Sequence, residues 1–212
     1  FNLVPDLKQL RLSSIDCAEI TEDFWPLLQE KRLMPHFHLS LQSGNDLILK
    51  RMKRRHNRQQ IIDFCRNVRS QRKDIVFGAD IIAGFPTETD EMFQDSLKII
   101  KECKLTHLHI FPYSIRQNTP AARMPQVSKD IIKKRALALR EEGNKQMQKY
   151  LQNQIGNSAI ILVEQVKENI SYPYPPDNLD KITKAAQISH ALEFIENLPK
   201  RFDTMIGEDR KS

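Results

Sequence analysis

Cysteine is scarce: the 212 residues hold only Cys17, Cys65 and Cys103, 48 and 38 positions apart. Such spacing excludes a disulfide framework and any tight metal-ligand motif, so the three read as reduced, packed thiols. Long apolar runs are missing too. No stretch of eighteen apolar residues occurs, and residues 1–12 lack the basic, apolar and small-residue succession of a signal peptide. A membrane-spanning helix is therefore not expected, and a cytoplasmic location is. There is no GxxxxGK[ST] loop and no LSGGQ-type sequence, which removes the usual machinery of nucleotide hydrolysis. No internal repeat is visible, and the chain opens on Phe1 rather than Met, so its true beginning is expected to lie upstream.

What is present belongs to a folded chain. Hydrophobic residues make up 40% and charged residues 28%, ordinary for a globular protein and unlike a disordered one. The net charge of +6 is uneven: residues 1–164 carry 26 Lys and Arg against 19 Asp and Glu, and residues 165–212 carry 7 against 8. A basic first part favours an anionic partner such as RNA, because neutralising phosphates releases counterions.

Through the first 150 residues short apolar runs alternate with longer amphipathic stretches. Four strand-then-helix units follow: strand 7–15 with helix 23–29, strand 36–42 with helix 57–71, strand 75–84 with helix 90–103, and strand 106–113 with helix 128–152. Repetition of this kind implies an α/β fold with a parallel sheet and helical crossovers. An open Rossmann-like sheet and a partial (β/α) barrel both fit, and in either the loops after the strands carry function. Ser128 suits the N-cap of the long helix, and Gly156 its end. A new strand is expected at 158–164, the SYPYPPD run at 171–177 forbids regular structure, and one or two short helices are expected over 179–192 and 191–198.

The sharpest segment, GADIIAGFPTETDE at 78–91, reads as a buried strand ending in Gly84, a turn through Phe85-Pro86, and a helix capped by Thr87 or Thr89. Glu88, Asp90 and Glu91 load that helix start with carboxylates, which repel phosphate and suit hydroxyls, a base or a cationic centre. In HFHLSLQSG, residues 36–44, His38, Ser40 and Gln42 share one strand face; either a small polar ligand or a self-satisfied polar layer would partner them. His107 and His109 repeat the alternation. A metal site on these histidines is not expected, since no carboxylate or cysteine stands near them in sequence. The segment 50–58 places six cations in nine residues (Lys50, Arg51, Lys53, Arg54, Arg55, Arg58), either a solvated face or phosphate contacts, and Arg116 and Arg123 flank another strand end.

These segments resemble, in order and spacing, the radical-SAM methylthiotransferases, most closely the branch that modifies threonylcarbamoyladenosine in tRNA. The matching strings are LRLSSID (10–16), HFHLSLQSGND (36–46), LKRMKRRH (49–56), GADIIAGFPTETDEMF (78–93), THLHIFPYS (106–114) and NTPAARMPQV (118–127). The resemblance implies a barrel binding S-adenosylmethionine and a [4Fe-4S] cluster, then a small RNA-binding β-barrel beginning near Ile160. It places the cofactor along Ser40, Gln42, Ser43, Asp80, Ile82, Gly84, Phe111 and Tyr113. It implies tRNA contacts at Lys50, Arg51, Lys53, Arg54, Arg55, Arg116 and Arg123. The implied chemistry is reductive cleavage of the cofactor and insertion of a methylthio group at C2 of a tRNA adenosine.

The family's Cys-x3-Cys-x2-Cys loop is not in this chain, and Cys17, Cys65 and Cys103 are not expected to replace it. The chain alone is therefore expected to be inactive and to depend on an amino-terminal half. The expected organisation is a carboxyl-side barrel portion over 1–155, the start of a truncated β-barrel over 156–165, and a tail over 166–212. Within the tail, 166–208 resembles the helical subdomain of an ABC-exporter ATPase. The alternative reading is a non-catalytic α/β binding module or an ABC-transporter ATPase fragment.

Overall fold

The structure is a computed structural model and describes residues 1–157, 183, 192–198 and 200–203. The chain divides into two compact units, Phe1–Ile155 and Gly156–Ser212. The first carries four parallel strands, β1 (Leu10–Ile15), β2 (Leu33–Gln42), β3 (Val76–Ala83) and β4 (Leu105–Pro112), hydrogen-bonded in the order β1-β2-β3-β4. Each strand is added beside its predecessor, always in the same direction. That order has no switch point of the Rossmann kind and is the winding of a barrel sector, which decides between the two arrangements left open above.

The strands alternate as the period of two requires. Phe37, Leu39 and Leu41 of β2 and Phe77, Ala79, Ile81 and Ala83 of β3 are wholly buried and join the core formed with Phe64, Val68, Ile99, Ile100 and Leu139. Their neighbours on the opposite face are His36, His38, Ser40, Gly78, Asp80 and Ile82, joined from β4 by His107, His109 and Phe111. One face is thus apolar and helix-covered; the other is polar and holds the chemistry.

Helices α1 (Phe24–Leu27), α2 (Asp46–Arg51), α3 (Arg58–Gln71), α4 (Asp90–Glu102) and α5 (Lys129–Gln154) complete this unit. Their starts are written locally. Asn57 and Gln60 form a reciprocal capping box on α3, Thr89 rather than Thr87 caps α4 through Met92 N, and Ser128 caps α5 through Ile131 N. Thr87 instead takes a left-handed φ of 69° within the turn. Helix α2 was absent from the sequence expectation: Asn45 caps it through Leu47 N and Ile48 N, and it turns the start of the basic run into helix.

In the second unit the described residues include α6 (Leu192–Glu196) and a 3-10 turn, Arg201–Asp203, with Ile195 buried. The expected strand at 158–164, the proline-rich run and most of the expected helices and ABC-like stretch lie outside the described residues. No helix among the described residues is long and apolar enough to cross a membrane.

Candidate functional site at the carboxyl ends of the strands

Strand β2 ends irregularly. Its pairing with β3 shifts between Leu39 and Gln42, and Gln42 takes a φ of 66°. The break ends the simple alternation, so Gln42 and Ser43 part company. Ser43 turns fully inward; its hydroxyl faces the Ser96 hydroxyl of α4 and accepts from Asn45 N. Gln42 lines a cleft of 390 Å³ together with Ile82 of β3.

The turn after β3 forms another wall. Gly84 has a φ of 72°, and a Cβ there would sit 2.4 Å from Ile132 Cγ1 of α5, so both the backbone angle and the close helix demand glycine. Its N–H donates to Glu88 Oε2 at 3.0 Å. Arg135 of α5 donates to the same oxygen at 2.9 Å, to the Glu88 carbonyl at 3.0 Å and to Asp90 Oδ1 at 2.7 Å. Burial pushes the Glu88 carboxyl up from its ordinary value, and Arg135 opposes this. The acidic helix start is therefore not a free negative patch: its buried carboxylate is engaged by an arginine 47 residues away, which no local reading could supply.

Phe85 lines the cleft and packs edge-on against Tyr113 with ring centroids 5.4 Å apart. Tyr113 N donates to Ala83 O, while the Tyr113 hydroxyl is buried with no hydrogen-bond partner. Thr119, Pro120 and Ala121 close the far side. Exposed Arg116 and Arg123 stand on either side of that segment.

The basic run is split by the fold. Arg51, Lys53 and Arg54 line the cleft beside Gln42 and Ile82, so residues predicted as separate cofactor and RNA groups share one opening. Arg51 also donates to Thr87 Oγ1 at 2.6 Å. Arg55 pairs with Glu19, and Arg58 donates to Gly44 O and Asp95 O and pairs with Glu102. His56 is buried between Asp16 and the Leu41 carbonyl. Lys50 lies exposed on α2.

Below the strand ends the inner face is lined by imidazole. His38 Nε2 and His109 Nδ1 donate to the same oxygen, Asp80 Oδ1, at 2.8 and 3.1 Å. Asp80 is thus engaged one layer beneath the cleft, with Ser40 half-buried on the same strand face as His38 and Phe111 edge-on to His109. His36 and His107 meet edge-to-face at 5.0 Å. Burial, with Arg11 nearby, pushes His36 down to about 4 and lowers His107.

The cysteines do not converge on three sulfurs. Cys65 and Cys103, both buried, lie close enough between α3 and the end of α4 for each to shift the other: the first thiol is pushed well up and the second is lowered. Cys17 lies beside Asp16 and His56, and burial pushes it up to about 12.

A singly wound parallel sheet with a cleft at the carboxyl ends of its strands defines a sector of a (β/α) barrel. Comparison with known proteins is more specific. The model of the radical SAM superfamily matches residues 9–100. The threonylcarbamoyladenosine tRNA methylthiotransferase of Rickettsia prowazekii is 52% identical over 192 residues, covering 89% of this chain and 45% of that protein. The tRNA-2-methylthio-N(6)-dimethylallyladenosine synthase of Ehrlichia chaffeensis is 34% identical over 166 residues, covering 77% of this chain and 38% of that one. Coproporphyrinogen III oxidase from Escherichia coli, a radical SAM enzyme, shares the fold with a TM-score of 0.50 at 18% identity, over 83% of this chain and 37% of its own. The chain belongs to the radical-SAM methylthiotransferase family. It spans less than half the length of these relatives, and the Rickettsia match extends beyond residue 166 into the tail.

Proposed function

We propose that the chain forms a sector of the barrel of a tRNA adenosine-37 methylthiotransferase acting at C2 of N6-threonylcarbamoyladenosine. In this reading it holds part of S-adenosylmethionine at the strand ends and offers cationic side chains to tRNA phosphates. The observation that carries the reading is the single cleft shared by Gln42, Ile82 and Phe85 with Arg51, Lys53 and Arg54. An apolar wall beside a polar, cationic rim fits a ligand that combines a flat base with a carboxylate. Ile82 and Phe85 would contact the base, Gln42 would fix hydroxyl or amide groups, and Arg51 would meet the carboxylate. When bound, the sulfonium cofactor supplies the bond whose reductive cleavage starts the chemistry.

The residues do not fit an iron–sulfur cluster. Cys65 and Cys103 are turned to each other within the helical layer, and Cys17 stands apart with a thiol that resists ionisation. We propose that the cluster thiolates come from outside this chain, that the chain alone is inactive, and that association with a polypeptide bearing them restores activity. Lys50, Lys53, Arg54, Arg116 and Arg123 serve tRNA in this account, while Arg55 and Arg58 stabilise loops. Ultraviolet cross-linking of radiolabelled S-adenosylmethionine to the full chain, followed by peptide mapping, tests the reading. Label on peptides containing Gln42 or Ile82 supports it; label spread over the surface, or confined to the tail, contradicts it.

A further inference from the structure

Three side chains from three adjacent strands close on one point beneath the cleft. Register sets this up: His38 pairs across to Gly78, and Asp80 pairs across to His109, so two steps along β3 bring both imidazoles to one carboxylate. The ring of His38 reaches Asp80 because Gly78 leaves it room; a Cβ at Gly78 would lie 2.6 Å from His38 Nδ1. With Nδ1 over the glycine, Nε2 faces Asp80 Oδ1 at 2.8 Å, and His109 Nδ1 faces the same oxygen at 3.1 Å. The donor atoms of all three residues lie within 4.8 Å of one another.

We propose that His38, Asp80 and His109 form a binding site for a divalent transition-metal ion, separate from any iron–sulfur cluster. Metal bonds of about 2.0–2.2 Å to imidazole nitrogen and carboxylate oxygen place neighbouring donors at right angles about 3 Å apart. The two nitrogen-to-oxygen distances already have that length, so an ion would enter with little movement of the strands, each imidazole binding it as the neutral tautomer that keeps its proton on the other ring nitrogen. Two imidazoles and one carboxylate on one side of an ion leave its remaining positions open to water or a ligand. The nitrogen-rich donor set selects Fe²⁺, Co²⁺, Ni²⁺ or Zn²⁺ over Mg²⁺ and Ca²⁺, which prefer all-oxygen shells. Access fits as well: the His109 side chain is 64% exposed, whereas that of His38 is 9% exposed and fixed by its surroundings. His36 lies next to His38 with both ring nitrogens buried and unpartnered, so the polar layer around the triad is not closed by its own hydrogen bonds. The other grouping of this kind among the described residues, Asp16, Cys17 and His56, is a poorer candidate because the His56 ring is held between Asp16 and a backbone carbonyl.

The test is titration of the full chain, first stripped with chelator, using Co²⁺ followed by visible absorption and Zn²⁺ followed by equilibrium dialysis. One ion per chain is expected, with ligand-field bands for Co²⁺. His109→Ala, a change at an exposed position, weakens binding at least about tenfold, and Asp80→Asn does the same; Cys17→Ser leaves the titre unchanged. Far-ultraviolet circular dichroism confirms that each variant is folded. Failure of the chain to take up either ion, unchanged affinity in folded His109→Ala, or loss of binding in Cys17→Ser overturns the proposal. No S-adenosyl compound enters the titration, so it succeeds or fails independently of the cofactor reading.

Discussion

Replacing Arg135 by Met tests how the turn after β3 is held. The Arg135 and Glu88 side chains are 6% and 1% exposed, and the carboxylate receives both the guanidinium and the Gly84 N–H. Methionine keeps much of the packing against Phe93, over whose ring the guanidinium lies, but leaves a buried carboxylate without its counter-ion. Removing one partner of a buried pair costs about 3–5 kcal/mol, a large part of the roughly 5–15 kcal/mol that stabilises a typical domain. In a unit of this size the loss lowers the melting temperature by about 10 °C or more. The exposed contact from Arg135 to Asp90, whose side chain is 86% exposed, adds little. The pH dependence carries a definite sign. Glu88 has a folded pKa above its unfolded value of 4.5, so the folded state holds its proton more tightly. Without Arg135 that carboxyl is pushed higher still, so the mutant's deficit is full at neutral pH, shrinks as pH falls and the mutant's Glu88 protonates first, and is smallest once the wild-type carboxyl is protonated as well. Urea unfolding of the wild type, Arg135→Met, Glu88→Gln and the double variant between pH 4 and 8 gives the coupling energy, expected to be about 2 kcal/mol at pH 7. A coupling near zero at pH 7, or a deficit that grows on acidification, would show that Arg135 does not hold the Glu88 carboxylate in this way.

Gly84→Ala combines a left-handed backbone angle with a clash against Ile132, and about 2–4 kcal/mol of destabilisation is expected in thermal melts. His36 is kept neutral by burial, with Arg11, His107 and His38 facing it, and its folded value of about 4 lies below the 6.5 of the unfolded chain. Stability should fall as pH drops from 6.5 toward about 4, and His36→Asn should flatten that slope in urea titrations. For RNA, Lys53→Ala and Arg54→Ala should each reduce the slope of log affinity against log salt by about 1 for a tRNA anticodon stem-loop. Arg58→Ala, which removes contacts to Gly44, Asp95 and Glu102, should instead lower the melting temperature.

Much of the architecture was legible because it is written locally. Alternating apolar residues located all four strands, and Asn57, Thr89 and Ser128 marked helix starts through hydrogen bonds spanning three residues. Helix α2 escaped because its six residues are too short for a periodic signal, and its cations drew attention to charge instead of to the Asn45 cap. The site was legible only as strand ends. The histidines were set aside for want of a nearby carboxylate; Asp80 is 42 residues from His38, and only strand register brings them together. Arg135 reaches Glu88 over a similar interval in sequence. The inward turn of Ser43 depends on the left-handed Gln42, a backbone state that the residue type does not announce.

The opening between Gln42, Ile82 and the basic loop is proposed to accept the S-adenosyl cofactor. Isothermal titration of the full chain with S-adenosylhomocysteine measures this without any cluster or reductant. Saturable one-site binding is expected, lost when Ile82→Arg fills the cleft while circular dichroism stays unchanged. Heat signals that never saturate at millimolar ligand, or an Ile82→Arg chain that binds as well as the wild type, would contradict it.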